Sequence, residues 1–531
     1  MTPDDVEGST YDYSGKHYIL EAVLIPNMGH LSPNSACVLV REMIDYFFPD
    51  GFPPTSTVGM VNSILGMSLI ILFLHYISRD SLPYPPGPQG YWYIGLPNSK
   101  VPSKKFWLTY TEWGKKYGDL IHFTRFGKHY LVLNSLQATR DILDKQARIT
   151  SDRANAQLDH ISHTEEITSL HPYSDKWRKS RRLFHQILRA DATSQFRPIQ
   201  TRQIHDFIES LRSSKHTLKD QISTVSQKIM FEAIYGLEIS SNRDEMPTNS
   251  RETLDVDVGA GSIITPGWDG FKYIPFIQYL PSWFPNGQLI AAHRVLGQMT
   301  QDGANKPWDA VQEKIADGDH SSLIAKLLSR TDPENHEEIH TIKWFGATSL
   351  AAAADTTMSA ISTFFLAMSL YPHVQSKGQE ELNTVLGKGR MPTFDDRPSL
   401  PYIEAIFREV MRWHPALPMG IAHDSLEDII YEGYYIPKGT SIYANIWAMT
   451  HDASIYKDPD QFIPERHLRE DGHFDNINSI LAYGFGRRVC VGRYMANDTI
   501  WLAIAVTLAA VEISGLPNEN VEDYYGDGAL W

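Results

Sequence analysis

The sequence predicts a mainly α-helical chain with small β-sheets, organised as one large globular domain behind an N-terminal membrane helix. Three observations carry this expectation. From about residue 99 onward, apolar residues recur in helix-length stretches, the longest being Ala347 to Tyr371, which contains neither Gly nor Pro. Strand-like runs are few, short and bounded by turn residues. No linker-like or low-complexity stretch divides the 531 residues, and 42% of them are hydrophobic, enough for one sizeable core.

Residues 1–56 form an extension of unknown role with eight acidic and two basic side chains, expected to be either a short lumenal tail or a wrongly assigned start. Residues 57–78 read as a transmembrane anchor. Val58 to Ile77 is 20 residues without Asp, Glu, Lys or Arg, about the length that crosses a bilayer. Arg79, Lys100, Lys104 and Lys105 follow it, so the positive-inside bias predicts a single-pass protein with its bulk in the cytosol, the endoplasmic reticulum being the expected membrane. Residues 79–98 form a connector, in which "LPYPPGPQG" has four prolines and should be stiff and extended. Residues 99–531 are the expected large globular domain. Within it, 120–134 reads as a hairpin turning at Gly127, 271–285 as a packed aromatic loop, and 432–449 as short strands. The net charge of −15 argues against a nucleic-acid partner. Two cysteines cannot build a disulfide framework, which leaves Cys490 a free thiol in a reducing compartment.

The chemistry centres on "YGFGRRVCVG", residues 483–492. Gly486 and Gly492 allow close approach of a bulky ligand, and Cys490 precedes an apolar helix whose free N–H groups favour an anion. Arg488 could pair with a ligand carboxylate. With no second Cys or His at zinc spacing, a lone thiolate in a basic cradle suits an iron porphyrin better than zinc; the alternative is an inert cysteine beside a glycine turn. Asp355 and Thr356 interrupt the long apolar helix, where a carboxylate and a hydroxyl could relay protons or merely kink the helix. Glu409 and Arg412 form an i,i+3 pair, and Arg466 follows in "PER". The segment "DKWRKSRR", 175–182, has five basic residues in an acidic chain, either a solvated face or a dock for an acidic partner, and places Trp177 and Arg181 on one helical face. His336, Glu337 and His340 match a zinc-protease pattern, but their polar flanks and a capping Asn335 or Asp332 read better as an exposed first helical turn.

Taken together, these residues resemble the cytochrome P450 family, in particular its membrane-anchored fungal members of secondary metabolism. Tyr483, Gly486, Arg488, Cys490 and Gly492 match the family's haem loop, with Tyr in place of Phe. Glu409 and Arg412 match its Glu-x-x-Arg helix and Arg466 the partner arginine, which together are expected to support that loop. "AAADTT", 352–357, matches the oxygen-activating helix, with Ala353 where Gly is usual. Trp177 and Arg181 match a propionate-contacting pair, and His423 a further position of that kind. The resemblance implies haem b with Cys490 as axial ligand, O2, electrons from NADPH through a reductase docking on 176–182, and a lipophilic small-molecule substrate of terpenoid, polyketide or aromatic type. Its expected activity is insertion of one oxygen atom. The pocket is expected from 154–172, 259–268, 345–357 and 416–423. The chain ends 41 residues after Cys490, where the family continues into a final strand, so a shortened C-terminus is also expected. An inactive haem-binding remnant and a haem-thiolate isomerase or dehydratase are the alternative readings.

Overall fold

The computed structural model describes residues 82–515 apart from 92–94, 98–99, 103, 154–161, 214–215, 239–286, 470, 472–473 and 475–478, and also Gly66 and Ser68. The proposed anchor therefore lies outside the described residues except for those two helical positions, and the 271–285 loop, the 259–268 pocket segment and the residues after 515 lie outside them altogether.

The connector from Leu82 to Gly90 has neither helix nor strand, as its prolines require. Pro86 O accepts a hydrogen bond from His122 N at 2.9 Å, and a Cβ on Gly87 would lie 1.8 Å from His122 O, so this stretch runs directly on the first strand. Helix α1 (Phe106–Tyr117) leads into β1 (Leu120–Arg125) and β2 (Lys128–Leu133), which pair antiparallel with Leu120 opposite Leu133. The turn between them is Phe126 and Gly127, at φ 45° and 77°, the left-handed pair that a two-residue hairpin needs. A short helix and a π-turn, Arg140–Lys145, follow.

Next come α2 (Asp175–Leu188), α3 (Arg197–Ser213), α4 (Leu218–Met230), α5 (Gly287–Ala316) and α6 (Leu323–Leu328). Helix α7 (His336–Leu370) is 35 residues long. It begins where Asn335 accepts from Glu338 N at 3.2 Å, with Glu337 and Glu338 at its positive end, and it stops before Pro372 opens α8 (Pro372–Leu386). Among the described residues it is the one helix long and apolar enough to cross a membrane, but Phe345, Leu350, Ile361, Phe364 and Met368 are buried in protein, as in a core helix.

Helix α9 (Pro401–Trp413) precedes β3 (His423–Asp424), the hairpin β4 (Ile429–Tyr431) and β5 (Tyr434–Ile436), and β6 (Ser441–Ala444). The main sheet has the order β1-β2-β6-β3, with β2 parallel to β6 and β3 antiparallel to it. The tip of the β4–β5 hairpin groups with residues 82–84 as a small separate unit, in which Tyr435 N donates to Pro83 O. Residues 446–449, expected to be strand, instead begin α10 (Ile446–Thr450). Asn445 accepts from Ala448 N and starts a helix that the β-branched and aromatic composition did not suggest. Helix α11 (Arg493–Ala510) closes the described part of the large unit. It packs on α3, α7, α8 and α9 with Trp501, Ile504 and Val506 fully buried. Each such side chain contributes roughly 2 kcal/mol of burial, which holds the segment before α11 in a fixed place.

Candidate active site

That segment is a tight loop. Cys490 N donates to Tyr483 O at 2.8 Å, and Arg493 Nη1 donates to Cys490 O at 2.8 Å, closing the loop at both ends. Gly486 sits at φ 60°, and a Cβ there would lie 2.2 Å from Leu143 O. Its N–H donates to Asp144 Oδ1 at 2.6 Å. The glycine is thus required by close packing on the Arg140–Lys145 turn, which corrects the expectation that it makes room for a ligand. Gly492, the N-cap of α11, has open space where a Cβ would stand and fits the original expectation better.

Cys490 is exposed, yet the surface it exposes faces an internal cavity of about 510 Å³. Burial pushes its thiol pKa up; the Gly492 and Arg493 N–H groups and the charges of Arg181 and Arg493 pull it back only in part. The thiol therefore needs a bound metal cation to hold it as thiolate.

Around the same cavity stand Trp177, Arg181, His423, Tyr483 and Arg488, together with Arg153, which nothing in the sequence marked. Arg488 donates from Nε to Ser151 O and from Nη2 to His171 O, both at 2.8 Å, and its guanidinium lies 4.2 Å from the Trp177 ring centre. Arg488 Nη1 is buried without a partner. Arg153 donates to Ser169 O at 3.1 Å and to Ile421 O at 2.9 Å. Arg181 donates to Val489 O at 2.5 Å. Burial, followed by repulsion from Arg153, lowers the pKa of Arg488 to about 8, with Asp152 offsetting part of the effect. Burial lowers Arg153 and Arg181 to about 10. Three guanidiniums with depressed proton affinities, one of them with an unpaired N–H, make a site for a carboxylate-bearing ligand. His423 Nδ1 lies 2.7 Å from Thr150 O, and since a carbonyl only accepts, Nδ1 carries the hydrogen. Burial, then the Arg153 charge, pushes the His423 pKa well below its ordinary value.

The facing wall is the middle of α7. Ala351 and Ala352 are exposed and Ala353 to Thr356 half-buried, because they line the cavity. The apolar composition of 347–371 thus does not make the helix buried throughout. Thr356 Oγ1 donates to Ala352 O at 2.8 Å. Asp355 lines the same wall. Thr164, Ile167 to Leu170, Ala416, Leu417 and Met419 to Ile421 contribute as expected, but Gln227 and Met230 of α4, Phe231 just after it, and Met299 and Thr300 of α5 also form part of the wall, which was not expected.

Glu409, Arg412 and Arg466 come together. Arg412 donates twice to Glu409, from Nε and Nη2 at 2.8 Å each, and Arg466 Nε donates at 3.1 Å. His467 Nε2 adds a contact at 2.9 Å that the sequence did not announce. His336, Glu337 and His340 lie on the exposed first turn of α7, where Glu337 pairs with Lys179 at 2.7 Å and His340 with Glu166 at 3.0 Å. Among the described residues, no group of three or more His, Cys, Asp or Glu is placed to hold a metal ion.

The family model for cytochrome P450 matches residues 85–530. The chain belongs to the cytochrome P450 family. It is similar to the cytochrome P450 monooxygenase COX1 of Coprinopsis cinerea, 34% identical over 453 residues that cover 82% of this chain and 86% of the relative. It is 32% identical over 497 residues to the cytochrome P450 monooxygenase claR of Ampulloclitocybe clavipes, covering 92% and 90% of the two chains. The cytochrome P450 monooxygenase ple1 of Rhodocybe pseudopiperita is 34% identical over 451 residues, covering 82% and 84%. This P450 is accordingly a haem-thiolate monooxygenase of fungal type, using haem iron, O2 and electrons from a reductase. The cavity fits the cofactor: a lone thiol, an unpaired buried guanidinium N–H beside two further arginines, and walls that are mostly apolar.

Proposed function

We propose that this P450 inserts one oxygen atom from O2 into a lipophilic small molecule of secondary metabolism, at a site assembled from Cys490, the arginine cluster and the middle of α7. The observation that carries the reading is that one cavity brings Cys490, Arg153, Arg181 and Arg488 together with Asp355 and Thr356, between walls of Ile167, Leu170, Phe184, Leu350, Met411 and Ile446. When bound, the haem supplies the redox chemistry that splits O2 with two electrons from NADPH, passed on by the reductase.

The chain's own groups bind, orient and move protons. Cys490 Sγ holds the iron. Arg488 Nη1, Arg181 and Trp177 hold the haem carboxylates, and Arg153 is placed to assist. His423 joins them only after taking up a proton, because its Nδ1–H is committed to Thr150 O. A carboxylate beside it supplies the attraction that favours that uptake. Thr356 Oγ1 holds the proton delivered into the cavity, and Asp355 replenishes it. The Glu409, Arg412 and Arg466 cluster fixes the scaffold beneath the loop. Lys176, Arg178, Lys179 and Arg182 lie on the exposed side of α2, while Trp177 and Ser180 are buried, which supports this side as the reductase dock. The charge asymmetry about Val58–Ile77 supports a single-pass anchor in the endoplasmic reticulum with the catalytic domain cytosolic.

The test is expression with a reductase, feeding of terpenoid, polyketide and aromatic libraries, and mass analysis under isotopically labelled O2. The expected product carries one labelled oxygen atom. Product oxygen drawn from water instead, or no substrate-dependent NADPH consumption across the libraries, refutes the reading.

A further inference from the structure

Resting on the monooxygenase reading, we infer that Gln227 anchors a hydroxyl group of the substrate on the α4 wall of the cavity. Gln227 is 3% exposed and lines the cavity together with Ser226 and Met230 of α4 and Met299 and Thr300 of α5. Its Oε1 is buried without a partner, while Nε2 reaches Ser223 Oγ only at 3.3 Å. The hydroxyls nearby are engaged. Ser226 Oγ donates to Ile222 O at 3.1 Å, Thr300 Oγ1 to Leu296 O at 2.8 Å and Ser349 Oγ to Phe345 O at 2.8 Å, and Thr348 Oγ1 accepts from Thr168 N at 3.2 Å.

Turning the amide over changes which atom is left over but not that one is left over: Oε1 then faces Ser223, and Nε2 loses its acceptor. An unpaired amide atom on a buried wall is costly, and Leu or Met would fill a similar volume without that cost. Packing therefore does not account for Gln227. A hydroxyl both donates and accepts, so it complements the amide in either orientation, whereas a charged group there would be desolvated without a counter-charge. The substrate class is a lipophilic molecule that already carries a hydroxyl. The reaction that supplies it is a hydroxylation or a cyclisation ended by water.

The test uses the haem-loaded full chain and a series of N-alkylimidazoles of increasing length, each paired with its analogue ending in a hydroxyl. The imidazole nitrogen binds the iron, and the absorption shift reads occupancy. If the plain alkyl series produces no shift in the wild type, the haem-site reading itself fails and the inference falls with it. With the site intact, one chain length should show a hydroxyl-to-alkyl affinity ratio that drops about tenfold in Gln227→Leu. The plain alkyl series should bind Gln227→Leu at least as tightly as the wild type. Gln227→Met, closer in shape, should reproduce the drop. An unchanged ratio at every length in both variants overturns the inference. So does failure of both variants to take up haem, because Gln227 would then be a scaffold residue.

Discussion

Replacing Glu409 with glutamine keeps the side chain's size and removes its charge from the centre of a buried ion cluster. The Glu409 side chain is fully buried and that of Arg412 is 3% exposed. Five donors converge on the two Glu409 oxygens: Nε and Nη2 of Arg412, Nε of Arg466, Nε2 of His467 and the backbone N–H of Ile463. In Glu409→Gln one oxygen becomes an NH2 group that points at other donors, and Arg412 is left buried without a counter-charge. Losing one partner of a buried pair costs about 3–5 kcal/mol. The proton equilibrium gives a similar figure. Burial alone would raise the Glu409 pKa, but hydrogen bonds from Arg412 and His467 outweigh it and bring the value from 4.5 to about 2. At about 1.4 kcal/mol per tenfold change in proton affinity, that corresponds to roughly 3 kcal/mol. Because the folded value is the lower one, this stabilisation is fully present above about pH 4.5 and is lost as pH falls toward 2. The assay is thermal unfolding of the haem-loaded protein, with haem release followed in parallel. Near neutral pH the midpoint should fall by about 4 °C. The gap between wild type and variant should narrow as the solution is acidified below about pH 4.5. A double variant, Glu409→Gln with Arg412→Met, should regain part of the loss, because the orphaned charge is gone. A single variant that melts within about 1 °C of the wild type, or a gap that widens on acidification, refutes the reasoning.

Thr356→Ala should retain haem and the thiolate spectrum, since alanine suits the helix, while product per NADPH falls and peroxide rises; unchanged coupling would assign Thr356 Oγ1 only to its bond with Ala352 O. Gly486→Ala places a methyl 2.2 Å from Leu143 O at φ 60°, so haem content should fall sharply, measured as haem per chain; normal loading would show that the loop can shift freely. Deleting residues 1–78 should release much of the protein from microsomal membranes in a sedimentation assay, whereas retention as tight as the full chain would place the membrane contact elsewhere.

How much of this was legible in the sequence differs from element to element. The β1–β2 hairpin and the start of α7 were readable because Gly127 and Asn335 act locally, through turn geometry and capping. The 446–449 stretch was misjudged for the same local reason, since Asn445 caps a helix and outweighs β-favouring composition. The exposure of Ala351 to Thr356 follows from a cavity that only tertiary packing creates. Cys490, Arg488 and the Glu409 pair stood out by spacing. Arg153, His467 and Gln227 did not, because each reaches the site or its scaffold from an element that carries no spacing rule. Gly486 was rightly singled out for the wrong contact: its neighbour is the backbone of Leu143, which no local pattern indicates.

The central claim is that Cys490 Sγ binds the haem iron as a thiolate. The absorption of the reduced, carbon-monoxide-bound protein tests it most directly, because the red-shifted band requires a thiolate opposite the gas. The wild type should show that band, and Cys490→Ser should lose it while residual haem gives the unshifted spectrum. A Cys490→Ser variant that keeps the red-shifted band, or a haem-loaded wild type that never shows it, would contradict the account.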